Sequence, residues 1–315
     1  MFKFLLRKLP SVLAVALASS IIAFFLPRLA PGDPAIAIAG PEATLEQLTA
    51  VREQMGLNDP VIVQYFNWLT GVLQGDFGQS FTMRRPVAEV ILSRIESTLE
   101  LALLSMVLLV AFGIGLGILA GTERSKWARV AIDGTITFLL AMPPFVIGLI
   151  FILFLGIMFP LFPISGEVLF SENLIVGLHY LVLPALAISL AQASIVARQL
   201  QATMLSTRDE DFIDLARAKG VPDGKITRQH VLRNSLGPAV VAIGLRFGDM
   251  LAGAVIIEAI FARNGVGALA IYAVQSRDYN VLQAIILGAV LIAVFTQLIS
   301  EIVLAALDPR IRLEG

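Results

Sequence analysis

Five stretches of this chain run for about 19 residues or more without one charged side chain, the length that a membrane-crossing helix needs. They are Leu9 to Pro27, Leu101 to Thr122, Gly134 to Gly166, Asn173 to Ala197 and Tyr279 to Ser300. A helix advances about 1.5 Å per residue, so about 20 apolar residues cross a hydrocarbon layer ~30 Å thick. A sixth stretch, Leu236 to Ile260, contains Arg246, Asp249 and Glu258, yet its remainder (PAVVAIGL, MLAGAVII) is too apolar and too long for a loop. The pattern predicts an all-α integral membrane protein of about six transmembrane helices. Composition agrees: 57% of residues are hydrophobic and 15% charged, against roughly 45–50% and ~25% in soluble domains.

The net charge of −1 gives no argument for nucleic-acid binding. With no cysteine there is no disulfide, thiolate metal site or cysteine nucleophile, and His179 and His230 lie too far apart for a local metal motif. Lys3, Arg7 and Lys8 ahead of an apolar run also fit a secretory signal peptide. Against that, the run is as long as a span, and Arg28, Pro31, Gly32 and Asp33 show no small-x-small cleavage site. An N-terminus in the cytoplasm places 15 of the 23 Lys and Arg inside, seven outside and Arg246 within a span. Basic residues are retained on the cytoplasmic side, so both termini are expected there.

Three regions follow: 1–96, the first span with an extracytoplasmic helical segment; 97–308, a core of five spans; and a tail, 309–315. The outer segment, about Pro31 to Glu96, is long enough to be an ordered cap. Thr44 with Gln47 fits a capping box whose helix Gly56 ends. Pro60 to Leu73 forms a second helix, with Tyr65 and Trp68 on one face as packing against the spans, or alternatively as a ligand-stacking pair. Gly75, Asp76 and Gly78 make a turn, and Pro86 opens a helix running through Arg94 into the second span.

The inner loop 198–235 is the most informative stretch. RQLQATMLSTRDEDFIDLARAKG reads as a helix leaving the membrane, with Phe212, Leu215 and Ala216 on one side. Gly220 ends it, Pro222 cannot continue it, and Asp223 caps a second short helix, GKITRQHVLRN. A helix-turn-helix DNA reader is the rival, but a basic segment tethered between two spans is more often a docking surface or a positive-inside flank.

DLARAKG at 214–220 followed by HVLRNSL resembles the coupling loop of permease subunits of ABC importers, whose pattern is Glu-Ala-Ala, three residues, then Gly. Asp214 stands for the Glu, Leu215 departs from the first Ala, and Ala216 and Gly220 match. LAPGDPA at 29–35, LNDPVIVQYFNWLTGVLQGDFGQSF at 57–81, PVAEVILSRIESTLELA at 86–102, AMPPFVIGL at 141–149, EAIFARNGVGAL at 258–269, RDY at 277–279 and DPRIR at 308–312 extend the likeness over nearly the whole chain. They resemble the dipeptide, oligopeptide and nickel branch, the subunit with a long outer segment after the first span. Arg263-Asn264-Gly265 departs from the usual Pro-Gly pair there.

The resemblance implies a type I ABC importer-like permease fold and a prokaryotic cytoplasmic membrane. It also implies an assembly with a second permease subunit, two ATP-binding subunits and an extracytoplasmic solute-binding protein. Lipid surrounds such a chain, and a dipeptide, oligopeptide or similar small solute crosses it. No G-x-x-x-x-G-K-[ST] run is present, so ATP and Mg are expected on partner subunits, with no cofactor on this chain and no catalytic role. Asp214, Leu215, Ala216 and Gly220 are the candidate ATPase-coupling residues. Arg246 and Asp249, three apart in a span, are candidates for the translocation path or a subunit interface. Glu258 reaches the outer interface, Pro143, Pro144 and Pro184 mark candidate kinks, and His179 lies near the outer boundary. The alternatives are a secondary transporter, which would show intramembrane carboxylates and inverted repeats, a membrane enzyme, which would show a positioned nucleophile, and a channel, which needs no docking loop.

Overall fold

The structure, a computed structural model, describes residues 2–29, 34–40, 42–123 and 125–307. The expected tail 309–315, the DPRIR motif at 308–312, Arg124 and residues 30–33 of LAPGDPA lie outside the described residues. The described helices are α1 (Phe2–Phe25), α2 (Pro34–Ala39), α3 (Leu45–Gln54), α4 (Val61–Leu73), α5 (Val87–Thr122), α6 (Lys126–Ala141), α7 (Pro144–Phe151), α8 (Leu174–Arg208), α9 (Asp211–Ala218), α10 (Asp223–Ile226), α11 (Arg233–Ile260), α12 (Val266–Gln275) and α13 (Tyr279–Leu307). A π-helix, Ile152–Met158, extends α7, and a second, Thr227–Leu232, joins α10 to α11. The backbone divides into two compact units, Met1–Thr98 with Asn264–Val294 and Leu99–Arg263 with Phe295–Gly315.

In the first unit, α1 and its 3-10 extension Leu26–Leu29 form the first span, Pro10–Leu29. The capping box forms in both directions: Thr44 Oγ1 accepts from the Gln47 amide, and Gln47 Oε1 accepts from the Thr44 amide. Gly56 (φ +62°) takes the left-handed conformation that ends α3. On α4, Tyr65 and Trp68 stack on Phe24 of α1, and Tyr65 Oη lies 2.8 Å from Ser20 Oγ. Tyr65 thus packs against α1, and Trp68 packs there while also lining a cavity beside Arg28. Asp76 Oδ1 accepts from the Gly78 amide to close the expected turn. Asp278 is buried and accepts from Ser80 Oγ, the Thr82 amide and Thr82 Oγ1, tying that turn to the start of α13.

In the second unit the closest approach between helices follows glycines. Gly113, Gly117 and Gly121 recur every fourth residue of α5, and a Cβ at each would lie about 2.9–3.0 Å from Val196, Leu200 and Met204 of α8 in turn. Small residues at that spacing let two backbones approach in a membrane, where apolar side chains alone gain little by association. The partners advance in the same direction, so α5 and α8 are parallel. The chain between Thr122 and Leu174 must then make one net crossing. That crossing is the bent pair Lys126–Ala141 and Pro144–Met158, which turns by 105°.

The bend falls at Pro143 and Pro144, the kink expected within the apolar stretch Gly134 to Gly166, and breaks it into two helices. Met142 precedes Pro143 and Pro143 precedes Pro144, and a residue before proline avoids the helical region. Both are extended (ψ 120° and 142°), which swings α7 away from α6. Pro184, by contrast, is buried within an unbroken α8. α11 is antiparallel to α8: Thr207 and Ser235 Oγ atoms meet at one end, while a Cβ at Gly148 of α7 would meet both Ala187 and Ile257 towards the other. Among the described residues, five helices plus the bent pair taken as one span give six crossings.

Gly117→Leu should lower the thermal unfolding midpoint of the detergent-solubilised chain, because overpacking typically costs about 1–3 kcal/mol. Gly115→Leu, where a Cβ meets nothing within 4 Å, is the matched control. Equal midpoints would contradict the glycine contact.

Candidate functional site

The inner loop is built by two breaks. α8 continues to Arg208 and stops at Asp209 and Glu210, so the expected single helix is two. α9 then runs from Asp211 to Ala218 and ends in a Schellman motif. Gly220 (φ +74°) donates to Arg217 O at 2.9 Å, and Val221 donates to Ala216 O at 3.1 Å. These bonds occupy carbonyls that the helix end would otherwise leave unpaired. A Cβ on Gly220 would meet nothing within 4 Å, so backbone conformation is what demands glycine there.

Pro222, not Asp223, is the N-terminal cap of α10, and Asp223 is its first helical residue. α10 is also no separate helix: the π-turn at Thr227–Leu232 carries it directly into α11, and Asp223–Ile260 forms one long span. A π-turn inserts one extra residue per turn, so the loop helix and the span join without a linker.

The expected grouping of Phe212, Leu215 and Ala216 on one side of α9 is split. Ile213 is buried with Ile226, Val231, Leu200 and Met204, and Ala216 and Val221 pack on that cluster. Phe212 and Leu215 point away, 42% and 56% exposed. Asp214 is exposed and pairs with Arg217 at 2.8 Å. Of the four coupling candidates, Leu215 and Asp214 thus stand on the outward face, Ala216 on the inward one, and Gly220 at the turn. His230 lies in the π-turn, beside Arg228 and Arg233 around an open basic hollow.

The two other candidates meet as spacing suggested: Arg246 Nη1 donates to Asp249 Oδ2 at 2.7 Å, in the middle of α11. Asp249 is half exposed, and Arg246 Nε is buried without a hydrogen-bond partner among the described residues. A charged pair at such a depth faces protein or water in preference to acyl chains.

The largest concentration of buried charge was not legible in the sequence. Glu258, expected to reach the interface, is fully buried, and so is Arg263. Arg263 Nη2 lies 3.4 Å from Glu167 Oε2 and 3.8 Å from Glu100 Oε2, and Glu100 Oε1 accepts from the Phe170 amide at 2.6 Å. Burial lowers the Arg263 pKa, while the carboxylates of Glu167, Glu100 and Glu258 act against that shift and favour the cation. With Gly166 donating to Phe261 O at 2.8 Å, the cluster fastens the segment after α7 to α5 and the end of α11. His179 stacks on Phe162 of the same segment. Glu167 and Glu100 lie 96 and 163 residues before Arg263 in sequence, so no local spacing announces them. Only the charges of Glu100 and Glu258 at the margins of apolar runs hinted at it.

Arg263→Met should lower the unfolding midpoint sharply, since removing one partner of a buried ionic group costs about 3–5 kcal/mol. Arg263→Lys, which keeps the charge, should recover part of the loss. Wild-type midpoints in both would show that the cluster carries no stability.

Two family models together match nearly the whole chain. Residues 113–313 match the family described as binding-protein-dependent transport system inner membrane component, and residues 1–102 match its N-terminal part. The glutathione transport system permease protein GsiC of Salmonella typhimurium (strain LT2) is 36% identical over 99% of each chain. The protein of that name from Escherichia coli (strain K12) is 34% identical over 99% of each. A probable peptide ABC transporter permease protein, y4tP of Sinorhizobium fredii, is 34% identical over 98% of this chain and 99% of the relative. Among solved structures, an inward-facing MetNI methionine ABC transporter superposes with a TM-score of 0.56 at 17% identity, covering 70% of this chain and 96% of that one. An amino acid ABC transporter gives 0.51 at 17% identity, covering 71% and 94%.

Proposed function

The chain belongs to the family of binding-protein-dependent transport system inner membrane components, and from that premise we propose that α9 and the Gly220 turn receive the stroke of an ATPase and pass it to the spans. As a member, it is a multi-pass inner-membrane permease subunit of an ABC importer, a transport subunit and not an enzyme. The ion-gradient-driven alternative gives way to that membership. The solute assigned here is a short peptide or peptide-like molecule such as glutathione, the class that the relatives' names carry.

One observation carries the coupling assignment. Phe212 and Leu215 form an exposed apolar pair on a helix held rigidly from behind by Ile213. Large apolar side chains on such a helix are available to a groove in another protein. Asp214, fixed by Arg217, adds a charge beside them, and the small Ala216 lets α9 seat on the loop core. Because α10 runs unbroken through the π-turn into α11, displacement of the loop moves a span directly. Transport needs a two-state element biased by a remote ligand, and a loop continuous with a span is one.

The remaining assignments follow the family. A second permease subunit completes the pathway, two partner ATPases hold ATP and Mg, and an external binding protein delivers the solute. Both termini are cytoplasmic, on the 15-to-7 asymmetry of basic residues. Arg246 and Asp249 face the pathway or the second subunit, because a half-exposed carboxylate at mid-span is costly against lipid.

Solute-stimulated ATPase activity of the reconstituted complex tests the coupling. Gly220→Val should abolish stimulation, since a β-branched residue disfavours a φ of +74°. Leu215→Asp and Asp214→Lys should weaken it while membrane insertion stays intact. Stimulation and uptake at wild-type levels in all three would place the coupling surface elsewhere.

A further inference from the structure

Helix α4 has 13 residues, carries no charge and is too short to cross a bilayer. At about 100° per residue its side chains divide into two halves. The polar half carries Gln64, Asn67 and Thr70. Gln64 and Asn67 line a cavity of about 240 Å³ with Arg28, Asp59 and Asp76, which marks the side that faces water. The apolar half divides again. Tyr65 and Trp68 pack on α1, while Ile62, Phe66, Leu69 and Leu73, at i, i+4, i+7 and i+11, form a stripe directed away from Gln64. Ile62, Phe66 and Leu73 are 67%, 57% and 78% exposed.

Depth decides what covers that stripe. Tyr65 and Trp68 hold α4 against Ser20 and Phe24, both within the first span Pro10–Leu29. Phe24 lies five residues before the end of that span, four of them in the 3-10 turn Leu26–Leu29, which puts it about 9–10 Å below that end at the two helical rises. Arg28, which returns to the Phe24 carbonyl and to Gln64, marks the polar edge above. The stripe is also continuous with the lipid-exposed side of α1. Phe25, in line with the exposed Leu17 and Ile21, stacks on Tyr65 at 6.3 Å, and Tyr65 meets Phe66 at 5.4 Å.

We propose that α4 is an interfacial helix whose Ile62, Phe66, Leu69 and Leu73 lie among the acyl chains of the leaflet at the C-terminal end of α1. A helix lying in the interface buries its apolar face about 5–10 Å below the headgroup boundary, which is the depth Phe24 sets. The segment after the first span is then anchored in the bilayer rather than suspended above it. Its cavity beside Arg28 stands at the membrane surface.

The chain contains no cysteine, so single cysteines at Ile62, Leu73 and Thr70 can each carry a nitroxide. The full chain, purified with the subunits that accompany it, is reconstituted into vesicles of phosphatidylcholine and phosphatidylglycerol. Collisions with oxygen and with a water-soluble nickel chelate are then compared. At Ile62 and Leu73 oxygen should dominate, with a depth of about 5–10 Å below the phosphates, and at Thr70 the chelate should dominate. Chelate access at Ile62 and Leu73 would make the stripe an aqueous surface. Exclusion of both reagents there would mean that protein, a second subunit or a binding protein, covers it. Either result overturns the proposal.

Discussion

In a hydrocarbon solvent apolar side chains gain little by touching each other instead of lipid, so helices are held by close backbone approach and by polar groups that have nowhere else to go. The second unit uses both means. The glycine stripe of α5 brings α8 into contact along three successive turns. At one end of that bundle Arg263 gathers Glu100 and Glu167 in a buried cluster, with Glu258 nearby. Between them, α6 bonds to α8 through Asp133 to Gln201 and Thr137 to Arg198. Once α5 and α8 are fixed in parallel, the bent pair must cross between them, and α11 returns alongside α8.

That frame explains why motion can enter at the loop. α9 rests on the inner ends of α8 and α11 through Ile213, and the Schellman turn at Gly220 sets where the chain reverses into α10. The π-turn removes any flexible joint between α10 and the span. On the proposed reading, a force on Phe212 and Leu215 passes through the Ile213 contact and the Gly220 turn to α10, which continues into a transmembrane helix without a further linker. Two-state behaviour needs such an element, because packed interfaces switch between arrangements instead of deforming continuously.

Where local chemistry decides, the sequence was readable. Thr44 and Gln47 cap α3 because both partners lie within one turn, and Gly220 ends α9 because only glycine takes its conformation without strain. Five crossings followed from charge-free length, and the sixth from the apolar remainder around Arg246, Asp249 and Glu258. Legibility stopped where the outcome depends on distant partners or on register. Phe212 and Leu215 share a side of α9 as read, but Ala216 turns inward with Ile213, which eight residues alone do not decide and the cluster behind Ile213 does. The kink in the third span was legible from Pro143 and Pro144, while its 105° size was not, because the apolar run itself is continuous. Arg263 looked like a departure in an outer turn, and its carboxylate partners come from an earlier helix and a loop.

Cross-linking in membranes asks whether the outward face of α9 sits against an ATPase, as proposed. Cysteines at Phe212, Leu215 and Thr49, each alone in this cysteine-free chain, are treated with a short thiol cross-linker in cells that express the ATPase with a matching cysteine in its groove. The account predicts adducts with the ATPase from Phe212→Cys and Leu215→Cys, altered in yield by ATP, and none from Thr49→Cys. Adducts from Thr49→Cys, or none from either α9 position, would contradict it.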